Sequence, residues 1–342
     1  MRKLARFISV AAALAACCLP ARADPIEEFY KGKSVTIMIG YGAGGSDDLW
    51  ARLLARHMNR FLPGNPTIVP QNVPGAGSLV AANQVFKTAP KDGTVLALIN
   101  RGVPFEPLLG NKSAQFDPRQ FNYIGSPDRD TIVGFVRTDA PVQKLSDLRS
   151  KELIVAATGS GADSLTYPVL LRDLFHLKVR IVQGYPGSRD MNLALERGEA
   201  YGTFISYDTA LREPGLKDGT RRLLVQGRLT PDPRIKDVPG LNALELSPAE
   251  RKAAEFFLLR ADMGRPFVAP PGVPLDRLAA LRKAFADTLL DATTQDDAGR
   301  QGLNVSLISP DDMMKTLDAA YRFDEKTIAT VRTIMQDAEK KK

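Results

Sequence analysis

Gly40, Gly42 and Gly45 follow an apolar run and stand just before a predicted helix, so Ile37 to Leu54 satisfies the G-x-G-x-x-G spacing. That arrangement can seat a pyrophosphate on a helix N-terminus. A dinucleotide also needs an acidic residue near the end of the next strand for its ribose. The next apolar run ends in Val69-Pro70-Gln71-Asn72, and no carboxylate follows until Asp92. The loop therefore needs another occupant. Related loops recur at Asn72-Val73-Pro74-Gly75-Ala76-Gly77-Ser78, at Asn100-Arg101-Gly102, at Thr158-Gly159-Ser160-Gly161-Ala162-Asp163-Ser164 and at Gly184-Tyr185-Pro186-Gly187-Ser188. A glycine-serine loop before a helix offers unpaired N–H groups and the positive end of the helix dipole. Glycine also lets a ligand approach the main chain. Several such loops from two halves of a molecule would clamp a small anion, most simply a carboxylate, without any formal positive charge. At about 1.5 to 3 kcal/mol per hydrogen bond to a charged group, four give roughly 6 to 12 kcal/mol before ordering costs, against about 8 for micromolar binding.

The elements that position these loops alternate strand and helix, which predicts an α/β fold. Val35 to Ile39 is a strand, and Ser46 is expected as N-cap of the helix that follows, with Asp47 and Asp48 in its first turn. Trp50, Leu53, Leu54, His57, Met58 and Phe61 form one helical stripe, in which His57 is a packed or edge-satisfied residue. Thr67 to Val69 and Thr94 to Ile99 supply two more strands. From Thr131 the pattern restarts with strands at 132–136, 153–157, 179–183, 202–206 and 222–225, and the Gly159 and Gly187 loops lie between them. The segment 231–264 is irregular apart from a helix near 248–259. Phe267 to Pro274 is expected as a crossing between domains, with closing helices over about 275–290 and from Pro310. In open α/β sheets ligands bind at the carboxyl ends of strands, which is where these loops lie.

Composition narrows the chemistry further. The chain opens MRKLARFISVAAALAACCLPARAD: a basic front, an apolar stretch and Ala21-Arg22-Ala23, the form of a secretory signal over 1–23. An alternative is a lipoprotein box, Leu14-Ala15-Ala16-Cys17, which would acylate Cys17. In either case the folded part contains no cysteine, excluding disulfides, thiol nucleophiles and cysteine metal sites. With His57 and His176 as the two imidazoles, metal and Ser-His chemistry are poorly supplied, and no catalytic residue, metal or cofactor is expected. Four units of the +7 formal charge lie in the leader, leaving a mildly basic remainder without the Lys/Arg clusters of a nucleic-acid binder. The roughly 320 residues after the leader are ample for two domains.

Gly44-Gly45-Ser46-x-Asp48, Asn72-x-Pro74-Gly75-Ala76-Gly77, Ala89-Pro90-Lys91-Asp92-Gly93-Thr94, Gly184-Tyr185-Pro186-Gly187, and Asp237-Val238-Pro239 followed by Ala269-Pro270-x-Gly272-x-Pro274, in this order, resemble the Bug-type (TctC-like) extracytoplasmic receptors of tripartite tricarboxylate transporters. The resemblance covers nearly all of the chain after the leader. It implies a periplasmic, monomeric, non-enzymatic binding protein of the two-lobed, type II-like form, each lobe a mixed sheet flanked by helices, with the cleft between them. The lobes are expected over 24–126 with 237–342, and over 127–236. It further implies that the lobes close on a small carboxylate, an organic acid or amino acid, held by loop amides and ordered water, and that the loaded receptor docks on integral membrane subunits. Contacts are implied from Gly44, Gly45 and Ser46, from Pro74, Gly75, Ala76 and Gly77, from Gly159, Ser160, Gly161, Asp163 and Ser164, and from Gly187 and Ser188, with Asp208 at the cleft edge. A histidine common in the family after the second-lobe glycine loop is replaced here by Leu165 and Thr166.

Asp47 and Asp163 stand beside loops expected to meet an anion. They either stabilise helix starts or receive an ammonium or hydroxyl from the ligand. Arg101, after Asn100, either pairs with a second carboxylate or is a solvated loop residue. Two other classes remain: an exported hydrolase or isomerase using Asp47, Asp48 or Asp163, and a receptor coupled to a membrane sensor. Gly75→Val is expected to abolish binding with little loss of fold.

Overall fold

The computed structural model describes residues 24–340 apart from 130 and 229–231. The predicted leader, with Cys17, lies outside the described residues. Chain order is α1 (Pro25–Tyr30), β1 (Ser34–Ile39), α2 (Ser46–His57), β2 (Thr67–Asn72), α3 (Leu79–Lys87), β3 (Val95–Leu98), β4 (Asn122–Gly125), β5 (Ile132–Arg137), β6 (Leu153–Ala156), α4 (Asp163–Val169), β7 (Val179–Val182), α5 (Ser188–Glu196), β8 (Gly202–Ser206), α6 (Tyr207–Arg212), α7 (Pro214–Lys217), β9 (Arg221–Gln226), α8 (Pro248–Leu258), β10 (Phe267–Ala269), α9 (Leu275–Leu290), α10 (Ala292–Arg300), α11 (Pro310–Tyr321) and α12 (Glu325–Lys340).

The strands form two mixed sheets of five, in the orders β2-β1-β3-β10-β4 and β7-β6-β8-β5-β9. In the first, β1 runs parallel to β2 and β3, with Ile39 opposite Asn72 and Leu98, so three carboxyl ends share one edge. In the second, β6 runs parallel to β7 and β8, with Ala156 opposite Val182 and Thr203. Inner strands buried on both faces must be apolar throughout rather than alternating, and the VTIMI of β1 and the LIVA of β6 have that character. Pro70 is tolerated in β2 because that strand is an edge. Residues 267–269, expected as a crossing, form β10, wedged antiparallel between β3 and β4. The strand β4 and the helix α10 lie in stretches where no element was expected, and 310–340 is two helices broken at Arg322 to Asp324.

One apolar core joins the sheets on one side, running from Met38, Ala97 and Tyr123 through Phe256 and Phe257 of α8 to Leu153, Val155 and Leu224; α12 packs on α8 and α4 there. Separate cores cover the outer faces of the first and second sheets. His57 is edge-satisfied: its Nε2 lies 2.8 Å from Asp297 Oδ2, which also accepts from Arg56, tying α2 to α10. The bond to His57, with the Arg56 guanidinium, holds the Asp297 carboxyl at about 2 against burial. A carboxylate depressed in the folded state stabilises it above the usual 3.8, and loses that contribution as pH falls toward 2. Asp297→Asn is therefore expected to lower the melting temperature at pH 7, with the gap to wild type closing between about pH 4 and pH 2. A gap that persists at pH 2 would contradict this origin.

Candidate functional site

The loops at the carboxyl ends of both sheets meet around a cavity of about 70 Å³. At ~10–15 Å³ per water-sized particle this is room for roughly five to seven, the scale of a small solute. One wall is apolar, from Ile99, Ile132, Met191, Phe204 and Ile205. The remainder is polar and unites residues from both sheets.

From the first sheet come Tyr41, Gly45, Ser46 and Asp47. Gly45 is the N-cap of α2 in an extended conformation, and Ser46 is its first helical residue rather than the expected cap. The hydroxyl of Ser46 is turned away from that role because it accepts from Arg212 Nη2 at 2.8 Å and Arg265 Nη2 at 3.0 Å. Asp48 builds the loop instead: its Oδ2 accepts from Gly44 N–H and Arg52 Nε, both at 2.9 Å, and its Oδ1 from Asn72 Nδ2 at 2.9 Å. Burial raises the Asp48 carboxyl, but these donors outweigh it and leave it below the usual range, ionised and occupied rather than poised as an acid or base. Asn100, at the end of β3, likewise shapes its turn by receiving Gly102 N–H at 2.8 Å while its own N–H donates to Ser78 Oγ.

Arg101 and Asp163 face each other from the two sheets, Nε to Oδ2 3.2 Å, with 3% and 8% side-chain exposure. The solvated-arginine alternative for Arg101 is thereby excluded. Burial pushes the Asp163 carboxyl up, opposed by the guanidinium groups of Arg101 and Arg260. Thr158 N–H donates to Ser164 Oγ at 3.0 Å, so Ser164 closes its own loop. Ser188 opens α5, and a Cβ at Gly45 would stand 3.1 Å from Ser188 Oγ, which brings the N-termini of α2 and α5 together.

Several expected contact residues lie elsewhere. Pro74, Gly75, Ala76 and Gly77 line an adjoining recess with Tyr185 and Pro186, and Gly44 lines another with Arg189 and Arg212. Gly159, Ser160 and Gly161 serve loop-to-loop packing: a Cβ at Gly77 would collide with Ser160 O, and one at Gly102 with Gly161 O. Gly187 caps α5. Asp208 is buried and paired with Arg234 at 2.9 Å rather than at the cavity. Gly75 has φ +144°, and a Cβ there would stand 2.7 Å from Val80, so Gly75→Val would strain the first sheet's own loop and is not the clean probe expected.

The residue the sequence reading missed is Arg265. Its side chain, 5% exposed, pairs with Asp128 and with Asp47 (3.4 Å), and donates to Ser46 and, at 2.6 Å, to Ser206. Burial pulls its guanidinium down to about 10, opposed by Asp47, so it is cationic at neutral pH. The cavity thus does contain formal positive charge, contrary to the expectation of amides alone, although each guanidinium already faces a carboxylate. Tyr41 and Thr158 were also missed, and their positions beside the glycine loops were the available signal; the Tyr41 phenol is held well above its usual value by burial. Among the described residues no group of three or more His, Cys, Asp or Glu is placed to hold a metal.

Two five-stranded mixed sheets meet over a solute-sized cavity, which makes the architecture a two-lobed α/β fold. MatC of Rhodopseudomonas palustris, solved with bound malate, superposes with a TM-score of 0.68 at 21% identity over 89% of this chain and 99% of its own. The periplasmic binding protein BugD gives 0.68 at 18% identity, over 91% and 99%. In sequence, the UPF0065 protein in the gbd 5′ region of Cupriavidus necator is 29% identical over 246 residues, 68% of this chain and 70% of its own length. BugT of Bordetella pertussis is 33% identical over 104 residues, 30% of each chain. No protein-family model matches. The chain thus shares the fold of MatC and BugD and is similar in sequence to the UPF0065 protein and to BugT.

Proposed function

We propose that this protein captures a small carboxylate between its lobes and delivers it to the integral membrane subunits of a tripartite tricarboxylate transporter. The observation that carries the reading is the meeting of α2 from one sheet and α5 from the other at Gly45 and Ser188, so that two helix N-termini face one cavity. Amides at Gly45, Ser46 and Asp47 and at Ser188 form the carboxylate seat; Gly44, Pro74 to Gly77, Gly159 to Gly161 and Gly187 shape the loops around it. The lobes, 24–126 with 237–342 and 127–236, close over the ligand as rigid bodies. The malate bound by MatC supports the choice of a carboxylate.

Thermal-shift titration with mono-, di- and tricarboxylates and amino acids tests the reading. A ligand at a hundred times its Kd stabilises by about 2.7 kcal/mol, and each kcal/mol moves the melting temperature by roughly 2–4 °C. At least one compound is expected to raise it by about 5–10 °C and to be recovered chemically unchanged. Silence across the panel, or turnover of the stabilising compound, would reject the proposal.

A further inference from the structure

The cavity's charges are already matched. Arg101 faces Asp163 at 3.2 Å, and Arg265 faces Asp47 at 3.4 Å with Asp128 on its other side. A second ligand carboxylate would have to enter a largely buried space in which both guanidinium groups are engaged, and would meet Asp47 and Asp163 as like charges. The junction of α2 and α5 favours an anion without displacing a carboxylate. Two buried side-chain atoms of the lining residues have no hydrogen-bond partner among the described residues: Arg265 Nη1, a donor set against Asp128, and Asp163 Oδ1, an acceptor. An acceptor left bare in this way is costly until a donor reaches it.

We infer that the preferred ligand is a small monocarboxylate carrying an ammonium or hydroxyl group, an amino or hydroxy acid, with its carboxylate at the α2 and α5 N-termini and its donor group on Asp163. The inference rests on the carboxylate reading above and narrows it. Alanine and lactate, with six non-hydrogen atoms each, match a cavity of about 70 Å³, and the wall of Ile99, Ile132 and Phe204 receives their apolar side. Asp163 acts as the specificity-determining residue: it separates ligands with a donor from those without one, and adds to the repulsion of a second carboxylate.

Titration calorimetry on the full chain with alanine, lactate, propionate and succinate tests this. Alanine or lactate is expected to bind at least tenfold tighter than propionate, which has the same carbon count and no donor, and at least tenfold tighter than succinate. In Asp163→Asn the preference over propionate should fall below threefold, with circular dichroism confirming that the variant is folded. The wild-type comparison stands even if that variant does not fold. Succinate or propionate binding as tightly as both donor-bearing probes overturns this inference and leaves the carboxylate reading intact. An undiminished preference in folded Asp163→Asn removes Asp163 from the role. Failure of all four probes, with larger carboxylates also silent, overturns both readings together.

Discussion

Gly159→Ala is expected to weaken ligand binding by roughly 5- to 150-fold while leaving the melting temperature of the unliganded protein nearly unchanged, the range following from a 1–3 kcal/mol overpacking cost. A Cβ at Gly159 would stand 2.9 Å from Ala76 C and Gly77 N, backbone atoms of the other sheet's loop that cannot rotate away. Gly159 is not in the left-handed region, so alanine strains nothing within its own loop. The cost therefore falls on the state in which the two loops touch. If ligand binding requires that state, affinity drops by the full amount and the unliganded form is spared. Calorimetry supplies the affinity, and small-angle scattering should show a ligand-dependent contraction in wild type that is reduced in the variant. Unchanged affinity would mean that the Gly77 and Gly159 loops can part without consequence for the site, and the closing mechanism would have to be abandoned. Gly75→Val cannot decide this, because its strain at φ +144° and against Val80 acts within one lobe.

The sequence made the strand-end loops legible and left their division of labour hidden. Strands such as β1 and β6 announce themselves as short apolar runs ending at glycine, and α2 as a stripe from Trp50 to Met58. Glycine, however, serves equally where a ligand must approach and where another loop must, and these two demands leave the same letters. Gly45 belongs to the first kind by its place in the cavity; Gly77 and Gly159 belong to the second. Ser46 has the place of a cap, before two aspartates, yet its hydroxyl is claimed by arginines about 170 and 220 residues away. Arg101 and Asp163 each stand out in a loop, but their pairing depends on the approach of two sheets. The strand β10 has three residues, too few for periodicity to register. Arg265 carries no local signal, since every partner of its side chain is distant in sequence.

Arg265→Ala is expected to cost about 3–5 kcal/mol of stability, the range for removing one partner of a buried ion pair. Asp128, 1% exposed, lies on the first chain crossing between the sheets, and Arg265 lies on the return crossing just before β10. Their side chains pair, and Ser126 Oγ fastens the same two segments by accepting Arg265 N–H at 2.7 Å. Without the guanidinium, Asp128 would be left as a buried charge, and Ser206 and Ser46 would lose a common donor. At roughly 2–4 °C per kcal/mol the melting temperature should fall by about 6–20 °C. Lysine should restore only part of this, because one ammonium cannot span Asp128, Asp47, Ser46 and Ser206 in the fixed fork of an arginine. Replacing Asp128 and Arg265 together, by leucine and methionine, separates the two roles. A buried pair exchanged for apolar residues of similar volume is often neutral for stability, so the double variant should melt near wild type. Ligand affinity should nevertheless remain at least tenfold below wild type, because the guanidinium that pairs with Asp47 beside the carboxylate seat would be gone. A double variant that recovered both melting temperature and affinity would show that the pair serves only to fasten the crossings.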